Sequence, residues 1–144
     1  MANALAPVVA ASSRSKPRIA VEIDGLLADL PTRAHAPIGP PRPGADAFMR
    51  RLATKFHIVI YSTRLRYVLD MDRPEDQQVD AVLTPIASWL AQNKIWYDAI
   101  WVGHGKPDAH FYLDTRAVLV PVNPTPDDYV QVEAELYRRL TDRR

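Results

Sequence analysis

The chain has 144 residues, 47% apolar and 24% charged, the proportions of a globular protein with room for a real core. Eighteen basic and seventeen acidic side chains leave a net charge of +1, no basis for bulk electrostatic binding to nucleic acid or a membrane surface. The lack of cysteine excludes disulfides and thiolate metal sites, no apolar run approaches the roughly 20 residues of a bilayer span, and the expected location is cytoplasmic.

Residues 1–17 are rich in Ala, Ser and Val, carry no acid, and end in Arg14, Ser15, Lys16 and Pro17. The charges follow the short apolar run LAPVVAA, the reverse of a secretory leader, so a flexible or partner-bound tail is the plainer reading. Ile19 to Ile23 is β-branched and mostly apolar, as in a strand covered on both faces. Five prolines, at 31, 37, 40, 41 and 43, make 31–43 an irregular, semi-rigid loop. Pro43-Gly44 leads into a helix with Phe48, Leu52 and Phe56 on one face. His57 to Tyr61 is a second strand, stopping at Ser62-Thr63 and Arg64.

Further on, Pro74, Glu75 and Asp76 could begin a helix, while Thr84-Pro85 is a start signal in its own right, a hydroxyl cap followed by proline. That helix carries Ile86, Trp89 and Leu90 inward and ends near Asn93. Tyr97 to Val102 reads as a third strand, Phe111 to Leu113 as a fourth, and Ala117 to Val122 as a fifth. Asp127 and Asp128 can cap a last helix whose Tyr129, Val132, Leu136 and Leu140 form a stripe. Strands alternating with helices predict an α/β fold, a Rossmann-like three-layer sandwich with a mainly parallel sheet over 18–122. The tail 1–17 would precede this core, and a proline linker with a C-terminal helix would follow it over 123–144.

Ligands of parallel sheets bind at the carboxyl ends of strands. Glu22, Asp24, Ser62, Lys106 and Asp114 all fall at or just beyond predicted strand ends. Three carboxylates suit Mg²⁺, a hard ion that takes oxygen ligands, and a lysine and a hydroxyl beside it suit a phosphate. Together these groups are equipment for phosphoryl transfer. Each alone has a blander reading: a solvated turn acid, a hydroxyl capping the next helix, an exposed loop lysine.

The order of these motifs resembles the haloacid dehalogenase superfamily of phosphohydrolases, over about residues 18–120. The family's Asp-x-Asp-Gly motif stands here as Glu22-Ile23-Asp24-Gly25, with Asp29 beyond it; Ser62 ends the second strand; Lys106-Pro107 matches the third motif; Asp114-Thr115-Arg116-Ala117 matches the fourth. The resemblance implies a Rossmann-like sheet with the first strand central. It assigns the nucleophile's place to Glu22 and general acid–base work to Asp24, whose carbonyl would also bind Mg²⁺. Ser62 and Lys106 would hold the phosphoryl oxygens, and Asp114 would complete the metal site with Glu22 and Asp24.

Two departures bear on activity. Thr115 stands where an acid is common, and Glu22 carries one methylene more than the usual aspartate. That methylene moves a carboxylate by about 1.5 Å, where a misplacement of about 1 Å can cost on the order of a hundredfold in rate. Only 14 residues separate Asp29 from Gly44, so no cap domain fits there and the site should be open. Two readings follow: a degenerate magnesium-dependent phosphohydrolase site, weak or inactive, in a binding or structural subunit; or an active phosphoric monoester hydrolase for a phosphorylated metabolite, nucleotide or macromolecule, using Glu22 and Asp24. A phosphorylated ligand suits either, and the N-terminal tail or the C-terminal helix could contact a protein partner.

Overall fold

Strand β1 (Arg18–Glu22) holds no polar side chain between its ends, and the fold covers both of its faces: Ile19, Ala20, Val21 and Glu22 are all buried. The computed structural model describes residues 15–33, 36–66, 75–103 and 105–142. It comprises two compact units, Met1–Leu113 and Asp114–Arg144.

In the first unit, β2 (His57–Tyr61), β3 (Ala99–Ile100) and β4 (Phe111–Leu113) join β1 in one sheet of order β3-β2-β1-β4, parallel throughout. Parallel neighbours need crossovers, and helices supply two of them, whereas the described residues between β3 and β4 form none. Helix α1 (Ala45–Ala53) lies between β1 and β2, and α2 (Thr63–Arg66) and α3 (Glu75–Gln92) between β2 and β3. This is the expected α/β architecture, a Rossmann-like parallel sheet with flanking helices. Between β1 and α1 the described residues form only isolated bridges, with nothing of a cap domain's size.

Register sorts the side chains into two faces. Ile19 and Val21 sit opposite Ile58 and Ile60, and this face continues into the core with Ile23, Met49, Ile86 and Leu90. Ala20 and Glu22 sit opposite Val59 and Tyr61, and Tyr112 of β4 pairs with Ala20 on the same face. In α1 the most deeply buried side chain is Met49; Phe48 and Leu52 pack partly covered against the core, as does Phe56, which was expected on the same helix but lies beyond its end.

The proline-rich loop is pinned rather than free. The Trp89 indole donates to Gly39 O at 2.9 Å, Asp29 N to Pro40 O, and Arg42 N to Leu27 O. Gly39 passes so near Asp29 that a Cβ there would lie 2.9 Å from the Asp29 carbonyl oxygen, which only glycine avoids.

Several expectations change. Thr84-Pro85 does not start a helix: α3 begins at Glu75 and runs through Pro85. The proline removes one hydrogen bond to the preceding turn, and the burial of Ile86 and Leu90 beyond it carries the helix onward. The third strand shrinks to Ala99–Ile100, extended by the bonds Asp98 N to Ile58 O and Trp101 N to Ile60 O. The fifth strand is absent: residues 117–122 form no ladder, and Leu119 and Val122 are each 90% exposed. Pro121 has no N–H to give, and a β-prone sequence that pairs with no strand gains nothing from its propensity.

In the second unit, α4 (Pro126–Thr141) is capped by Thr125 rather than by Asp127 or Asp128. Thr125 accepts from Asp128 N while the Asp128 carboxylate accepts from Thr125 N at 2.7 Å, a capping box with Pro126 in the first turn. Of the expected N-terminal tail, residues 1–14 lie outside the described residues, as does Pro74. Lys16 and Pro17 are tied in, Lys16 Nζ donating to Ala53 O and Pro17 O accepting from His57 N. No helix among the described residues is long and apolar enough to cross a membrane.

Candidate functional site

The turn after β1 is built on one carbonyl. Ile23 O accepts from the backbone N–H groups of Leu26, Leu27 and Ala28, and Gly25 takes φ +84°, a conformation that a side chain would strain. This curl leaves Asp24 at the strand's end, 8% exposed. Glu22, 3% exposed, lies two residues earlier and pairs in register with Tyr61. No buried side-chain polar atom among the described residues lacks a hydrogen-bond partner, so neither acid is buried at the cost of an orphaned oxygen.

Arg64 is the residue that organises Asp24. Its Nε donates to Asp24 Oδ2 and its Nη2 to Asp24 Oδ1, each at 2.8 Å, a two-pronged pair between side chains only 19% and 10% exposed. Nη1 donates to Ala36 O at 2.6 Å, tying the proline-rich loop into the same contact. Arg64 also reaches Ser62, whose Oγ accepts from the Arg64 backbone N–H at 3.1 Å. The blander reading of Ser62, a hydroxyl closing the turn into α2, is therefore part of its role. It does not consume the hydroxyl proton, which can be given to another acceptor.

Lys106 stands before β4, and its ammonium sits 3.7 Å above the centre of the Tyr112 ring. Tyr112 donates its hydroxyl to Pro107 O, and its ring meets Tyr61 edge to face at 6.4 Å. Tyr61 and Tyr112 thus close over the sheet face that carries Ala20 and Glu22. Asp114 follows directly on β4 and opens the second unit, where its Oδ1 accepts from Arg116 N at 2.7 Å. Thr115 O and Ala117 O accept from Arg139 of α4.

Asp24 and Ser62 are brought together through a shared Arg64, and Lys106 belongs with the tyrosine-covered face. Among the described residues, no three His, Cys, Asp or Glu side chains are grouped to hold a metal ion. The Asp24 carboxylate in particular is occupied by a cation already. Sequence reasoning passed over Arg64 and the two tyrosines. Arg64 stood in plain view behind Ser62-Thr63, but a strand-end arginine shows no preference for any one of the acids until the crossover folds it back.

No family model matches this sequence, and no curated protein is similar to it. Three solved structures resemble the fold. A conserved protein from Bacteroides thetaiotaomicron is 19% identical, with TM-score 0.49, over 86% of this chain and 93% of its own. A Vibrio cholerae protein is 26% identical, with TM-score 0.47, over 82% and 98%. The D,D-heptose 1,7-bisphosphate phosphatase from B. bronchiseptica, solved with magnesium and phosphate, is 16% identical, with TM-score 0.37, over 83% and 63%.

Proposed function

We propose that this chain is a haloacid dehalogenase-like protein whose magnesium-dependent phosphohydrolase site has degenerated into a binding site for a phosphorylated ligand. The observation that carries the reading is the two-pronged grip of Arg64 on Asp24. A general acid must take up a proton and hand it to the leaving oxygen. Both Asp24 oxygens already accept a guanidinium N–H, so a proton could be carried only at the lone pairs the fork leaves over. The extra methylene of Glu22 works in the same direction, displacing the nucleophile's carboxylate from where an aspartate would hold it.

Binding suffers less than turnover. Ser62 keeps a hydroxyl proton to donate, and Lys106 can exchange the Tyr112 ring for a phosphoryl oxygen at the loss of a cation–π contact of about 1 kcal/mol. With the Arg64 guanidinium on the Asp24 carboxylate, Mg²⁺ would be taken by the Asp24 carbonyl and the Glu22 carboxylate of the first unit. Such an ion would offset charge on a phosphoryl oxygen.

The second reading, an active phosphatase, is favoured by the hydroxyl of Ser62, already oriented by its bond to Arg64 N. Phosphatase assays with Mg²⁺ on a panel of phosphate esters separate the two. The expected pattern is background rate for the wild type, a gain for Glu22→Asp combined with Arg64→Met, which frees the Asp24 carboxylate, and no gain when Asp24→Asn is added. Robust wild-type turnover lost on Glu22→Ala would establish the second reading instead. An inert Glu22→Asp that also fails to bind phosphate or Mg²⁺ would remove the site altogether.

A further inference from the structure

A guanidinium carries five N–H groups in one plane, and Arg64 commits only three of them among the described residues. Nε and Nη2 give one each to the Asp24 carboxylate, and Nη1 gives one to Ala36 O. One N–H on each Nη is left over, and the side chain, 19% exposed, can be reached from solvent. Contacts at all three nitrogens fix the plane before anything binds. A donor held in this way loses little rotamer freedom when it meets a further acceptor.

The neighbouring residues say what acceptor fits. Ser62 accepts from the Arg64 backbone N–H at 3.1 Å and keeps its own proton to give. Hydroxyl and guanidinium thus leave the same turn after β2, and a tetrahedral oxyanion has oxygens enough for both. Arg64 has two ways of meeting such a group. It could let go of Asp24, but a carboxylate only 10% exposed would then stay behind unpaired, a penalty of about a hundredfold or more in binding. It could instead keep its fork on Asp24 and give the remaining N–H groups, which breaks no bond. We infer that Arg64 is a phosphate-binding residue that acts in the second way, with Asp24 as the residue that positions it. The inference rests on the phosphorylated-ligand reading above and reverses the roles that the motif implied: the acid holds and the arginine binds.

NMR titration of the full chain with inorganic phosphate, without Mg²⁺, tests this, and thermal melts establish that each variant is folded. Arg64→Met should weaken binding by about tenfold or more, through a lost charge-assisted hydrogen bond and a bared Asp24. The decisive protein is Asp24→Asn with Arg64→Met, which deletes both charges and leaves no unpaired ion. It should still bind about tenfold more weakly than the wild type, because the ligand has lost a donor. Recovery of wild-type affinity in that double variant would make Arg64 a counter-ion of Asp24 and nothing more, and would overturn the inference. If Lys106→Ala weakens binding in that case, the phosphate-site reading stands without it. A wild type that binds no phosphate removes both.

Discussion

Apolar side chains meet opposite fates in the two units of this protein. In Met1–Leu113 the β-branched residues of β1 and β2 are sealed, with Val21, Ile23, Ile58 and Ile60 all at 0% exposure. In Asp114–Arg144 residues of the same kind stand in water, Leu119 and Val122 at 90%. Both segments read as strands in the sequence. The first finds parallel neighbours on either side, so ladder bonds and burial reinforce each other. The second pairs with no strand, and an unpaired apolar run gains neither ladder bonds nor burial.

That contrast can be broken by substitution. Ile60→Ala should cost about 4 kcal/mol, through lost transfer energy and a cavity between β2 and the helices, whereas Leu119→Ser should change stability by no more than about 0.5 kcal/mol. Urea denaturation measures both, and comparable losses would mean that the second unit hides a core of its own. Asp24→Ala should cost about 3 kcal/mol, since it strands a mostly buried guanidinium. Adding Arg64→Met should recover much of that loss, because the cost lies in the unpaired charge; denaturation midpoints of the single and double variants decide it.

Smaller effects are expected at the other end of the chain. Thr125→Ala removes one half of the capping box and should cost α4 about 1 kcal/mol, read as lost helical dichroism with the sheet unaffected. Acid should act on the same helix. The Arg138 and Arg139 guanidiniums hold the Glu135 carboxyl down at about 2 against an ordinary 4.5, and the hydrogen bonds from Thr125 lower that of Asp128. Both groups are bound to their partners in ionised form, so their support is complete above about pH 4.5 and fades as pH falls toward about 2. Helical signal should decline modestly through that window, and 0.5 M salt should shrink the decline by screening these exposed pairs. A decline centred near neutral pH would assign the loss to other groups.

Most strand ends could be read along the chain. Glu22-Ile23-Asp24-Gly25, Ser62, Lys106 and Asp114 follow consecutive strand-like segments, and short-range chemistry is enough to see them: an apolar strand, a glycine where φ turns positive, a polar residue where the ladder ends. What could not be read there is pairing. Arg64 and Asp24 are forty residues apart, and the capping value of Thr125 over Asp128 depended on where a helix would begin.

The sequence by itself determined the alternation of strands and helices, the parallel sheet that such alternation requires, and the residue types at the strand ends, because backbone preference and apolar periodicity act over a few residues. The tertiary structure alone decided which strand-like segments became strands, since a ladder needs a partner. It also decided which charge answered which. Arg64 selected Asp24 because β1 and β2 lie side by side in register, a proximity that only the closed sheet creates.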